Sequence, residues 1–521
     1  MDHTLPLLVA IPLGLGFLMP LLEKLREPEW VIDLLATLAG AVGLALSVSL
    51  LWGTESASYW MGGWDATGGI MGIELRCDGL TRLMLVTISI VSLAAVIFSL
   101  RYMQRYTSKG FYFCLFFIMV AGMNGAVLAG DLFNLYVFIE VAAIASYALV
   151  AFGCESEELE ASFKYLVLGG LASTFVLFGV GILYNLTGTL NMASVHAQMP
   201  ALMAPPSPNL AVYVAAAFFF MGLGLKAAMV PFHAWLPDAH PSAPAPISAM
   251  LSGVLIKALG VYALARIFFS VLGPTHEYAT VLLTLGALSM LGGVLLAVGQ
   301  WDFKRLLAYH SISQMGYVVL ALGIGAAVLA SGGSKAVAGL AIFGGLFHLL
   351  NHAAFKSLLF LCSGATEYAT GTRQLKELGG LAHKMPVTSG CCRVASLSIA
   401  GVPPFNGFWS KLIIIVAAVQ AGFPWLAALA TLVAFLTLVS FVKVQRYVIA
   451  GELPSGLAAV REVPASMCVA MVALAVVCLG AGILAPFLMS PHIGLLDKAA
   501  EAVMHGLQAP AEAVAIGGLA P

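Results

Sequence analysis

Apolar runs of about twenty residues, parted by short polar connectors, follow one another along almost the whole chain. A helix of that length crosses the hydrocarbon of a bilayer, where backbone groups must be satisfied within the segment. The pattern predicts about fourteen spans, at residues 5–22, 31–52, 79–100, 111–130, 131–153, 162–186, 209–231, 246–268, 278–300, 306–330, 337–363, 387–419 (broken), 424–447 and 464–488. Composition agrees: 61% of residues are hydrophobic and 9% charged, where soluble domains carry about 25% charge. The expected fold class is an all-α polytopic membrane protein. The first span lacks a basic leader and a small-x-small site, so it reads as a membrane helix and not a cleavable signal. The net charge of −1 points to no partner, and nothing supports nucleic-acid binding.

The connectors set an orientation. Counted over fourteen spans, the odd-numbered loops hold Lys24, Arg26, Arg101, Arg105, Lys109, Lys164, Lys304, Arg305, Arg373, Lys376, Lys384, Lys443, Arg446 and Arg461. The opposite side and its helix ends hold only Arg76, Arg82, Arg266, Lys335 and Lys498. The positive-inside rule assigns the first set to the cytoplasm. Both termini then face away from it, in a bacterial or archaeal cytoplasmic membrane.

Away from the span ends, five basic side chains sit inside apolar stretches: Lys226, Lys257, Lys356, Arg393 and Lys411. Each costs roughly 2.5–3.5 kcal/mol at mid-bilayer, so such residues line a hydrated path, pair with an acid or reach the interface. Glu140, in DLFNLYVFIEVAAIASYALVAFG, is an intramembrane carboxylate available as a partner. Two spans are interrupted by proline. In FMGLGLKAAMVPFHAWLPDAHPSAPAPISAM, Lys226 precedes Pro231; in SLSIAGVPPFNGFWSKLIIIV, Lys411 follows Pro403 and Pro404. Proline breaks the helix, and the freed carbonyls require protein or water around them. Paired breaks in the two halves of a transporter mark the ion site. A simple kink with a snorkelling lysine is the competing reading.

His348 and His352, in HLLNH, share a helix face one turn apart. They lack the glutamate of HExxH and a third ligand, so no metal is expected. An imidazole titrates near neutrality and suits a proton wire; structural hydrogen bonding is the alternative. His233 and His240 flank the first break and are candidates for proton access, although His240 also reads as a loop residue. Lys356 and Arg393 lie toward cytoplasmic helix ends, where they could snorkel; Lys356 stays a candidate for access and Arg393 is left out. The eight cysteines contain no C-x-x-C pair and no nucleotide-binding glycine loop stands out, so no cofactor is expected.

Seven segments resemble the antiporter-like membrane subunits of respiratory complex I, Mrp-type cation/proton antiporters and membrane-bound hydrogenases. They are GDLFNLYVFIEVAAIASYALVA, LEASFKYLVLG, LYNLTGTLNMA, KAAMVPFHAWLPDAHPSAPAPISAMLSGVLIKALGVYALAR, DFKRLLAYHSISQMGYV, LFHLLNHAAFKSLLFLCSGA and PPFNGFWSKL. The match covers about residues 75–450 and looks closest to the D-type protein of Mrp antiporters and its hydrogenase relatives. It implies fourteen helices with two inverted five-helix repeats, whose broken helices are the seventh and twelfth. The implied division is 1–110, 111–270 (helices 4–8), 271–450 (helices 9–13) and 451–521. Carried over by position, Glu140 is the fifth-helix acid, Lys226 the seventh-helix lysine, Lys257 the bridging eighth-helix lysine and Lys411 the terminal residue on the twelfth. His348 and His352 become stations of the central wire. The terminal residue is a lysine in some members and a glutamate in the complex I member usually lettered M, so lysine here argues against that paralogue.

The chemistry of the residues agrees. An ammonium and a carboxylate paired in low dielectric control one another's protonation. If Glu140 moves away, Lys226 is left uncompensated and sheds its proton toward Lys257. A static ion pair is the alternative, since such pairs also occur without a switching role. The expected function is a proton-translocating subunit, with Na⁺ as a second candidate ion, in a complex with other membrane subunits, including antiporter-like paralogues. That complex would be a cation/proton antiporter or a redox-driven pump of the NADH-quinone oxidoreductase or hydrogenase type, the chain itself holding no redox site. A self-contained carrier for a small solute and a non-pumping anchor of a redox enzyme are the alternatives. Two further segments bear on assembly: residues 491–521, expected to lie on the membrane or be disordered, and the run Glu155, Glu157, Glu158 and Glu160, which reads as a solvated loop face, with a cap on a helix beginning near Ser156 as the alternative.

Overall fold

A computed structural model of the protein describes residues 3–53, 56–64, 72–106, 108–204, 206–488 and 494–506. Among them twelve helices are long and apolar enough to cross a membrane, with two shorter apolar helices beside them. In chain order, α1 (Thr4–Lys24) and α2 (Glu29–Ser49) lead into an antiparallel hairpin of β1 (Ala57–Trp60) and β2 (Glu74–Cys77). Next come α3 (Gly79–Tyr102), α4 (Lys109–Leu128), α5 (Leu132–Val150), α6 (Ser156–Thr187) and the short α7 (Met192–Leu202). The first broken span consists of α8 (Leu210–Lys226) and α9 (Leu236–Ser242). It is followed by α10 (Ala245–Val271), α11 (His276–Val298), α12 (Phe303–Ala330) and α13 (Lys335–Thr370). The second broken span is α14 (Pro386–Ala400) and α15 (Asn406–Gln420). The described chain closes with α16 (Pro424–Val444), α17 (Ala465–Leu488) and α18 (Leu495–His505). Twelve unbroken spans and two broken ones account for the fourteen crossings. The protein is an all-α polytopic membrane protein.

Side-chain caps start many of these helices by binding backbone N–H groups that lack a helical partner. Asp78 accepts from Thr81 N at 3.0 Å, Asp131 from Asn134 N at 2.6 Å and Asp302 from Arg305 N at 2.9 Å. The acidic run does the same for α6, which begins at Ser156 with Glu155 and Glu158 in a reciprocal capping box. Burial ranks the helices: the apolar window of α10 is 100% buried, that of α1 only 22%. α10 is therefore the central post. It is π-helical over Leu251–Leu255, Lys257–Tyr262 and Arg266–Val271, a widened form that often marks functional sites.

Three small elements are not legible in the chain's hydropathy: the hairpin, α7 and α18. The alternation of spans puts all three on the side assigned to the termini, and contacts tie them to that end of the bundle. Asn191, at the start of α7, donates to Glu74 of β2 at 2.7 Å, and Met192 N donates to Gly130 O at 3.0 Å just before α5. Of the tail, α18 is a docked helix. The backbone around its Lys498 lies so close to Gly79 that no Cβ would fit there, and Leu496 packs against the cluster of Phe347, Ile413 and Ala485. Residues 491–493 and 507–521 of that segment lie outside the described residues.

Arg266, read from the sequence as an interfacial charge, is buried and doubly bonded to Asp78 at 2.6 Å and 2.6 Å, with Tyr262 and Thr81 around it. This pair bolts α10 to the start of α3. Asp78→Ala would strand a buried guanidinium, and breaking such a pair costs about 3–5 kcal/mol. A clear fall in melting temperature of the purified protein is the expected result; an unchanged one would show that the pair does not hold these helices.

Candidate ion-translocation site

The two breaks differ in how they satisfy their freed carbonyls, and this decides what each lysine can do. At the first, Trp235 Nε1 donates to Leu225 O at 3.0 Å, Met229 N donates to Gly224 O at 2.9 Å, and Ala228 takes φ +54° to turn the chain. The indole serves the helix end, so Lys226 is free for another partner. At the second, Lys411 Nζ itself donates to Ile399 O at 2.7 Å, a carbonyl of the last turn of α14. Its ammonium also lies 5.0 Å from the centre of the Tyr317 ring. Gly407 allows the two half-helices to meet, since a methyl there would collide with Ser398 O.

Lys226, 5% exposed, pairs with Glu140 at 3.1 Å and reaches Tyr147 OH at 3.4 Å. Glu140 also accepts from Ser173 Oγ of α6. Its side chain is 23% exposed, so the carboxylate opens onto the flank of the chain while its partner is sealed. α10 passes directly behind the first break: a methyl on Gly260 would strike Ala227. One turn before Gly260, Lys257 is fully buried and its ammonium donates to Ser252 O, a carbonyl of the π-helical stretch. Ser252 Oγ meets Ser311 Oγ of α12 at 2.7 Å, and Ser357 Oγ of α13 donates to Ala249 O at 3.1 Å. Three helices thus converge beside Lys257.

Along α13, Lys356, His352 and His348 are all fully buried. Lys356 Nζ and both ring nitrogens of His352 have no hydrogen-bond partner in the protein. His348 Nδ1 meets Ser410 Oγ at 2.9 Å, one residue from Lys411. His352 stands one turn from each of His348 and Lys356 along the helix, between them. A buried polar group without a partner costs about 1–3 kcal/mol. An interior holding several of them is suited to water and to moving protons.

At two residues the structure decides between alternatives that the sequence leaves open. Lys356 does not snorkel: α13 continues to Thr370, about four turns further, and the lysine is enclosed. His240 is not a loop residue. It lies in α9, fully buried, stacked on Phe360 at 4.6 Å, with both ring nitrogens unpartnered and Lys356, Lys304 and Lys257 as its charged neighbours. His233, in the break itself, is only partly buried. Arg393 is exposed on the outer face of α14, apart from the others. Sequence reasoning missed Ser173 and Tyr147 at the first pair, Ser410 and Tyr317 at Lys411, the Asn351–Asn406 bonds that tie α13 to the start of α15 at 3.0 Å and 3.1 Å, and His310 with Gln314 on α12. The last two stand four residues apart in HSISQ, a spacing the chain itself displays.

Residues 129–437 match the family model described as NADH:quinone oxidoreductase/Mrp antiporter, and residues 66–113 match a second model, NADH-Ubiquinone oxidoreductase (complex I) chain 5 N-terminus. The chain belongs to this antiporter-like family. It is 37% identical to the N subunit of NADH-quinone oxidoreductase from Desulforudis audaxviator, over 89% of this chain and 90% of that protein. It is 36% identical to the D subunit of the Na⁺/H⁺ antiporter from Alkalihalophilus pseudofirmus, over 87% and 88%. Hydrogenase-4 component B of Escherichia coli is 33% identical over 80% of this chain and 64% of that longer protein. Among solved structures, the Mrp complex from Dietzia sp. superposes on this antiporter-like chain with TM-score 0.85 at 29% identity, covering 97% and 98% of the two chains. The archaeal membrane-bound sulfane sulfur reductase gives 0.81 at 31%, covering 96% and 98%. The oxidoreductase and antiporter relatives stand at nearly the same identity, so the likeness to the D-type antiporter protein expected from the motifs is shared with the N-type oxidoreductase protein.

Proposed function

We propose that this chain is a proton-translocating membrane subunit of a multi-subunit complex, and that its path runs from Glu140 and Lys226 through Lys257, His352 and His348 to Lys411. The observation that carries this reading is the first pair: a sealed ammonium whose carboxylate partner is held by a single hydroxyl and opens to the flank of the chain. Movement of Glu140 leaves Lys226 uncompensated in low dielectric, which favours its neutral form. The proton passes to Lys257 and along the unpartnered groups of α13. At Lys411 it forms the ammonium that binds Ile399 O, so loading the last station also seals the second break. His240, with Lys356 beside it and His233 nearer the surface, supplies access from the cytoplasmic side.

The charge of the path favours H⁺ over Na⁺. Four lysines and four histidines line it against one carboxylate, a field that repels a bare cation but suits proton exchange between bases. Residues 111–270 and 271–450 form the two repeats in this proposal, each with one broken span. The basic connectors face the cytoplasm of the cytoplasmic membrane, and both termini face the other side. The partners are the other membrane subunits of such a complex, in keeping with the two structural neighbours, which are membrane complexes.

A double-mutant cycle tests the switch. Glu140→Gln should lower coupled transport by about tenfold or more in proteoliposomes holding the assembled complex. Added to Lys226→Ala it should cause little further loss, because residues serving one step are non-additive. Strictly additive losses would show that the two act independently.

A further inference from the structure

α12 carries a second line of buried polar groups that the path above does not use. His310, Gln314 and Tyr317 lie on one face, at i, i+4 and i+7, and all three are fully buried. His310 Nε2 meets Ser440 Oγ of α16 at 2.8 Å, while its Nδ1 has no partner. Gln314, one turn deeper, has neither its amide nitrogen nor its amide oxygen bonded to the protein. Tyr317, a turn further, lies under the Lys411 ammonium at 5.0 Å, and its ring is 5.4 Å from that of His348. One turn from Ser440 toward the cytoplasmic end of α16, the partly exposed Lys443 donates to Val298 O and Gln300 O at 2.7 Å and 2.6 Å, at the α11–α12 connector.

A structural role does not account for this arrangement. Packing α12 against α16 needs only apolar side chains, whereas a buried glutamine with both ends open destabilises the fold at each unmet group. An imidazole bonded through one nitrogen and open at the other can take a proton on one side and release it on the other. The open amide then offers water a donor and an acceptor midway to Lys411.

We propose that the second half of the chain has its own cytoplasmic uptake branch, from the Lys443–Ser440 mouth through His310 and Gln314 to Lys411, which bypasses Lys226 and Lys257. The proposal rests on the reading of Lys411 as the terminal station. In this scheme the first pair is the switch that couples transport, and the branch reloads Lys411 from the cytoplasm.

The test uses the assembled complex in proteoliposomes, with proton flux driven by an imposed potassium diffusion potential and read by an internal pH dye. Lys226→Ala should retain potential-driven flux while losing coupled transport. Adding His310→Gln, which keeps a hydrogen-bonding side chain but cannot carry the proton, should cut that residual flux at least tenfold. Lys226→Ala with Gln314→Leu should do the same, and decides the matter should the His310 variant fail to assemble. Residual flux unaffected by both second substitutions, or no flux at all in Lys226→Ala, would overturn the branch. Lys411→Leu separates the two readings: flux that survives it moves the terminal station elsewhere, whatever the His310 variants show.

Discussion

Coupled transport should fall at least about a hundredfold in Lys226→Ala, the scale at which losing a positioned proton-transfer group is felt, with the complex still assembled. Trp235, and not Lys226, satisfies Leu225 O at the break, so truncating the lysine leaves the helix end capped. The more telling variant is Lys226→Arg. A guanidinium can keep the ion pair with Glu140 but does not give up its proton. It should therefore preserve the melting temperature and fail in transport as completely as alanine. Normal transport by the arginine variant in proteoliposomes would remove deprotonation of Lys226 from the mechanism.

The second large effect is expected at Lys411. Lys411→Leu should block coupled transport, because the last buried station is lost. Its stability reflects two opposing terms. Removing a buried, unpaired charge is stabilising, while Ile399 O loses its donor, at about 1–3 kcal/mol. The melting temperature should move little. Lys411→Arg tests the same point from the other side: it can still cap Ile399 O but cannot release a proton, so flux should vanish with the fold intact. Full flux in the leucine variant would make Lys411 a structural cap of the second break.

Much of this molecule can be read from its chain. Fourteen crossings follow from hydropathy because each apolar run must satisfy its own backbone in lipid. The two breaks follow from Pro231 and from Pro403–Pro404, and the relay candidates from the expense of charge inside a span. The acidic run before α6 announces its own capping box. The amphipathic α18 and the hairpin are obscure, because they are short and polar enough to pass for connectors, and only their docking partners show them to be ordered.

What the chain alone determined, then, is which residues are anomalous in lipid: one carboxylate, four lysines and the pair His348 and His352, each legible by type and position. Their relation was decided by tertiary structure. Sequence places Lys226 before one break and Lys411 after the other, which looks like imperfect symmetry. Packing explains the difference, since Trp235 caps the first helix end and frees its lysine, whereas Lys411 is itself the cap of the second. The same holds for His240 and Lys356, whose local sequence fits a loop residue and a snorkelling one as well as it fits access groups. Phe360 and the continuation of α13 to Thr370 enclose both. The physical reason is one of range. Hydropathy and proline act within a single segment, while the partner of a buried polar group is chosen among side chains from helices far apart in the chain.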